Sequence, residues 1–265
     1  MALTVVGEGK PVLFLHSSMS SQRQWQPLVV DLREDHCCIV PDLQGYGVPA
    51  SIIAGSFAGR EYQMADEAAA LVPLLAELNI TEPLTIIGHS FGGALALHLA
   101  MTQPFAIANL VLFEPVAFHL LKNNPSSECA GLLAEVQALA DHLLELGNQD
   151  AARVFIDYWQ APGYFATLPK RMQHTLALQV GKVTLDFQAL IGEPLQLQDY
   201  QRLTLPTQLL TGEQSRRSAQ KISELLHTTI IGSELRSVVT GHMGPVTHPA
   251  LVNAEIIRFL RRGLD

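Results

Sequence analysis

Ser90 stands in Gly88-His89-Ser90-Phe91-Gly92, inside the stretch LTIIGHSFGGALALHLA. An apolar run that fits a buried strand leads into this segment, and an apolar helix-period run leads out. The small residues on either side permit a sharp turn, which would hold the Ser90 hydroxyl clear of the chain. A helix starting beside it would aim backbone N–H groups and its positive end at the same point. That is a setting for a nucleophilic serine. The ordinary alternative is a glycine-rich turn with an incidental hydroxyl.

A serine hydroxyl needs a base to remove its proton. Of the ten histidines, His242 in SVVTGHMGPVTHP fits best, between glycines, after the last strand-like run and before the last helix. His248 precedes Pro249 at a helix start, where capping is the ordinary role. His89 adjoins Ser90, and its side chain is expected to point away from it. His98, His142, His174 and His227 lie in helix-period segments and read as structural or solvated. An acyl-transfer intermediate also needs donors for its oxyanion. One candidate is the Phe91 N–H. The other is the backbone N–H of Ser18, in the loop His16-Ser17-Ser18 of VLFLHSSMSSQRQW. Capping of the following helix would also account for those serines.

A carboxylate closes another apolar run. In NLVLFEPVAF, Leu110 to Phe113 reads as a buried strand, which stops at Glu114 before Pro115. A buried charge needs a partner, so Glu114 either reaches water or has one.

These residues need elements to position them. Strand candidates are Leu3–Val6, Val12–Leu15, Cys37–Val40, Leu84–Ile87, Leu110–Phe113, Thr207–Leu210 and Leu235–Val239. Amphipathic helices lie between them. One carries Trp25, Leu28, Val29 and Leu32, with Ser21 and Gln24 in a capping-box pattern. A second carries Met64, Ala68, Leu71, Leu75 and Leu78, with Pro73 predicting a kink. The last carries Val252, Ile256, Phe259 and Leu260. Strands alternating with helices predict an α/β fold with a mostly parallel central sheet flanked by helices. The alternation breaks from Val116 to Leu203, which holds helical stripes and no strand. One stripe, Leu132 to Leu146, ends at Gly147, a C-cap residue type. Another, Leu176 to Leu190, opens after Pro169. Between them lies FIDYWQAPGYF. The predicted organisation is a core of residues 1–115 and 204–265 and an all-helical cap of residues 116–203, inserted after the strand ending at Glu114.

Composition narrows the function. The chain has 265 residues, 48% hydrophobic and 16% charged, which supports a sizeable core. A net charge of −8 argues against nucleic acid or an anionic membrane surface as partner. Three cysteines without metal-ligand spacing suggest reduced thiols, and a start lacking a basic and then apolar leader pattern suggests a cytoplasmic protein.

Together these features resemble the α/β-hydrolase superfamily over essentially the whole chain. The resemblance rests on the elbow Gly88–Gly92, the loop from His16, the turn PDLQGYG (Pro41–Gly47), the order of Ser90 before His242, and GHMGPVTHP. The early loop departs from the usual His-Gly start by having Ser17. Many members carry an aspartate in a Gly-x-x-Asp turn after the next-to-last strand. Here that turn is Gly212-Glu213-Gln214-Ser215, with a serine in the acid's place. Other members carry the acid one strand earlier, which is the place of Glu114. The resemblance therefore implies Glu114 as the acid beside His242, with Glu213 as the other candidate. It implies a serine hydrolase acting on a small-molecule acyl substrate, a small carboxylic ester first, with thioester, amide or C–C cleavage left open. No metal or cofactor is expected. Trp159, Tyr158, Tyr164 and Phe165 would wall an apolar pocket or simply form the core of the cap. The rival readings are an acyltransferase or perhydrolase on the same scaffold, and a non-catalytic ligand-binding module.

Overall fold

The structure, a computed structural model, describes residues 2–47, 60–122 and 124–262. Seven strands form where the apolar runs predict them. They are β1 (Leu3–Val6), β2 (Lys10–Leu15), β3 (His36–Pro41), β4 (Leu84–His89), β5 (Ile107–Phe113), β6 (Thr207–Gly212) and β7 (Glu234–Val238). They pair in the order β1-β3-β2-β4-β5-β6-β7. β1 runs antiparallel to β3 and every other pairing is parallel. Parallel neighbours require crossovers, and helices supply them.

The helices are α1 (Gln26–Leu32), α2 (Met64–Glu77), α3 (Phe91–Thr102), α4 (His119–Lys122), α5 (Ser127–Glu145), α6 (Asn148–Trp159), α7 (Tyr164–Thr167), α8 (Lys170–Gly192), α9 (Arg217–Thr229), α10 (Gly244–Thr247) and α11 (Pro249–Arg261). The two-residue period of the strands sorts the core into two layers. Val12 and Phe14 of β2 face Trp25, Leu28, Val252 and Ile256, from the α1 and α11 side. Leu13 and Leu15 face the other way, toward Leu71, Leu95 and Ile222 from α2, α3 and α9. Burial on both faces is why these strands are continuous apolar runs rather than alternating ones. α3 is buried almost all round, which fits its apolar sequence.

Between β5 and β6 the described elements are helices α4 to α8 and a 3-10 turn, Leu197–Arg202. Several local expectations fail for physical reasons. The Ser21–Gln24 pattern does not cap α1: a 3-10 turn, Gln22–Trp25, comes first, and Ser21 makes no side-chain cap bond. The Gln24 amide oxygen is taken instead by the N–H and hydroxyl of Ser17, at 3.2 and 3.0 Å. Gly147 does not close α5 in a left-handed turn. Its φ is −68°, and it begins α6, a helix that FIDYWQAPGYF had concealed. Pro73 does lie inside α2, at an exposed position.

The two-layer packing has a direct test. Ile256 is fully buried in the layer under α11, whereas its helix neighbour Leu251 is 47% exposed. Ile256→Ala is expected to cost about 2–5 kcal/mol of unfolding free energy. Leu251→Ala is expected to change it by less than about 0.5 kcal/mol. Urea denaturation of the two variants measures both.

Candidate active site

β4 ends at His89 and α3 begins at Phe91, leaving Ser90 alone between them. Its backbone has φ 55° and ψ −119°, a strained conformation for a residue with a side chain. The surroundings enforce it. Ser90 N–H donates to the Phe113 carbonyl at 3.0 Å, and Ser90 carbonyl accepts from Ala94 at 3.0 Å. A Cβ on Gly88 would lie 2.5 Å from the Gly92 oxygen, and one on Gly92 would lie 2.4 Å from the Leu15 oxygen. The turn is therefore packed backbone to backbone, with the start of α3 held against the end of β2.

His242 follows β7 in the loop before α10, and its ring reaches back across the sheet. Its Nε2 lies 2.9 Å from Ser90 Oγ and its Nδ1 lies 2.6 Å from Glu114 Oε2. Nδ1–H donating to the carboxylate leaves Nε2 free to accept the Ser90 proton. Glu114 is fully buried. Its other oxygen, Oε1, accepts the Gly212 N–H at 2.7 Å and the Thr211 hydroxyl at 2.8 Å. The carboxylate thus has three donors, which is how a buried charge is tolerated. Glu213 is exposed at the edge of the same turn. Ser215 Oγ is buried and unpartnered among the described residues. Of the two acid candidates, the structure brings Glu114 to His242.

His89 points away from Ser90, and its Nε2–H donates to the His242 carbonyl at 2.8 Å. Burial drives its pKa well below the ordinary histidine value, with His242 adding to the effect, so it is a neutral strut. His248 meets Thr240 at 3.1 Å and Thr247 at 2.9 Å, near the base but not in it.

The loop after β2 adjoins the elbow through the Gly92 contact. Neither the Ser18 nor the Phe91 N–H is given to an acceptor among the described residues, so both are available. His16 fixes this loop. Its Nδ1–H donates to the Ser17 carbonyl at 2.7 Å, and its Nε2 accepts the Leu43 N–H at 2.8 Å. Burial lowers its pKa to about 4, which keeps the ring in the one tautomer that can do both.

Of the four aromatics singled out in the sequence, Trp159 comes to the site, while Tyr164 is half-buried at the start of α7. Its ring stacks on His242 with centroids 3.9 Å apart. Tyr158 turns the other way: its hydroxyl donates to Glu135 at 2.7 Å and its ring lies under Arg216. Phe165 is packed in the larger core layer. The sequence reading missed Thr211 and Gly212 as donors to Glu114, because a backbone N–H carries no sequence signature and the Thr211 hydroxyl meets Glu114 only through strand pairing. It also missed Asp186, whose Oδ2 accepts the Ser18 hydroxyl at 2.5 Å. The signal for that residue was a charge pair, Lys182 and Asp186, set into an apolar helical stripe. Among the described residues no cluster of histidine, cysteine and carboxylate side chains could hold a metal ion, and no helix is long and apolar enough to cross a membrane.

Comparison with known proteins gives a consistent picture. A family profile described as the alpha/beta hydrolase family matches residues 12–255. The cis-3-alkyl-4-alkyloxetan-2-one decarboxylase of Shewanella oneidensis is 33% identical over 119 residues, covering 45% of this chain and 36% of that protein. The chain thus matches little more than a third of that relative's length. Among solved structures, a bromoperoxidase from Bacillus anthracis superposes with a TM-score of 0.76 at 20% identity, covering 98% of this chain and 94% of that one. A thermophilic esterase from Thermogutta terrifontis superposes with a TM-score of 0.72 at 23% identity, covering 98% and 93%.

The close packing of the elbow predicts opposite outcomes for one substitution on two helices. Gly92→Ala forces a methyl against the Leu15 and His16 carbonyls and is expected to lower the melting temperature. Gly131, on α5, has no atom within 4 Å of its would-be Cβ. Gly131→Ala is expected to stabilise by about 0.5–1 kcal/mol through helix propensity. Thermal melting of both variants decides the point.

Proposed function

The chain belongs to the alpha/beta hydrolase family, and on that footing we propose that it is a serine hydrolase cleaving a small carboxylic ester through an acyl-enzyme. The observation that carries this reading is the hydrogen-bonded line from Ser90 through His242 to Glu114, all three buried.

In this reading Ser90 Oγ attacks the ester carbonyl carbon while His242 Nε2 takes its proton. The carbonyl oxygen becomes an oxyanion received by the N–H groups of Phe91 and Ser18. Collapse of the intermediate expels the alkoxide, which takes the proton from His242, and leaves the acyl group on Ser90. Water, deprotonated by His242, repeats the sequence and releases the acid. Glu114 holds the imidazole in its tautomer and stabilises the imidazolium formed in each half. Trp159 covers the face of His242 and shields that charge from bulk water. No step calls on a metal or an organic cofactor.

Residues 116–203 act in this proposal as a cap that sets which acyl groups enter. The low exposure of Ser90, 6%, and of His242, 2%, supports a small substrate and a covered site.

The proposal is tested by labelling and by substitution. A fluorophosphonate probe is expected to modify the peptide that contains Ser90, and a folded sample that takes no label there would remove the hydrolase reading. Glu114→Gln keeps the shape of the side chain and removes its charge. It is expected to lower kcat/KM for 4-nitrophenyl acetate by roughly a hundredfold or more. Glu213→Gln, at an exposed position, is expected to stay within about twofold. The reverse pattern would move the acid to Glu213. Product analysis with an added alcohol or peroxide separates hydrolysis from acyl transfer or perhydrolysis.

A further inference from the structure

Outside the Ser90–His242–Glu114 line, the chemistry least explained by folding is a cluster of buried charges. Lys182 and Asp186 lie one turn apart on α8, and Glu67 lies on α2; all three are almost completely buried. The Lys182 ammonium contacts Glu67 Oε2 at 3.1 Å and pairs directly with Asp186 Oδ1. It lies 4.4 Å from the Phe91 ring centroid and 4.9 Å from that of Tyr62. Glu67 accepts the Tyr62 hydroxyl at 2.5 Å and the Gln44 N–H at 2.8 Å. Asp186 Oδ2 accepts the hydroxyls of Tyr46 and of Ser18.

Burying charges in pairs gives little stability, and apolar side chains of similar size often serve as well or better. What such a cluster does supply is fixed geometry. Here the residues it fixes include Ser18 and Phe91, the two donors assigned to the oxyanion. We propose that Asp186 is a positioning residue that grips the Ser18 hydroxyl so that the Ser18 backbone N–H faces the reacting oxygen, with Lys182 holding Asp186 in place. The inference rests on the hydrolase reading above. It ties α8 to the loop that carries the Ser18 N–H.

The electrostatics fit this role. Burial pushes the Asp186 carboxyl above the usual carboxylate range, while Lys182, Ser18 and Tyr46 all present hydrogens to it and favour its charge. Burial works against the Lys182 charge, but Asp186 and Glu67 outweigh it and raise its pKa. Each partner thus needs the other, and displacing α8 would strip Ser18 of its acceptor.

The experiment compares Ser18→Ala, Asp186→Asn and the double variant with the wild type, using 4-nitrophenyl acetate and a trifluoromethyl ketone that forms a tetrahedral adduct on the nucleophile. Ser18→Ala keeps the backbone N–H and every buried charge pair, so its fold is not at risk. Both single variants are expected to lose about tenfold or more in kcat, with KM within about twofold and ketone affinity falling in parallel. The double variant is expected to lose no more than the worse single, because both break one link. Wild-type kcat in Ser18→Ala overturns the inference, as do losses that multiply in the double variant. If the wild type takes no fluorophosphonate at Ser90, the hydrolase reading itself has failed. If it takes the label and the variants turn over normally, only the role of Asp186 has failed.

Discussion

Glu114 is a carboxyl group fully buried at the end of a central strand. Its need for donors organises that end of the sheet. β5 lies between β4 and β6, so Glu114 can meet the Gly212 N–H at the end of β6, while the Phe113 carbonyl just before it receives the Ser90 N–H beyond β4. The third donor, His242, arrives from beyond β7. Three chain segments far apart in sequence are thereby held together by one carboxylate. Glu114 itself takes a φ of 44°, and the N–H it keeps still reaches the Leu210 carbonyl at 2.9 Å. Strain at Glu114 and at Ser90 persists because the parallel strands beneath fix both positions.

Much of this was legible in the sequence. Apolar runs located the five inner strands because both sheet faces are covered there, and the elbow announced itself because only small residues fit between strand and helix. What stayed hidden was whatever depends on backbone groups or on distant side chains. Nothing in the letters Thr211 and Gly212 says that they will serve a carboxylate on another strand. The Ser21–Gln24 pattern misled because Gln24 had a nearer use, in the loop carrying Ser17. Gly147 misled because glycine also serves as an N-cap, which is its place at the start of α6. Lys182 and Asp186 stand inside the apolar stripe Leu176 to Leu190, and nothing in the sequence marks the Ser18 hydroxyl that folding brings to Asp186.

With Glu114 as the proposed acid, the turn after β6 takes on a different status. Gly212 remains committed, since its N–H serves Glu114 and a Cβ on it would lie 2.5 Å from Ser215 Oγ and from the Thr240 oxygen. Glu213 and Gln214 face solvent and carry no such duty. In that proposal the turn is relieved of the acid and free to carry other contacts. Here it leads into Arg216, which donates to the Tyr158 carbonyl at 2.9 Å and so braces the residue next to Trp159.

The stacking of Trp159 on His242 has an optical consequence. The chain has two tryptophans, and the other, Trp25, is buried against Phe14 on the opposite face of the sheet. An excited indole gives up an electron readily to a protonated imidazole and poorly to a neutral one. With the rings at stacking distance, the emission of Trp159 is coupled to the proton on His242. Trp159 is thereby placed to report, through its emission, when that ring holds a charge.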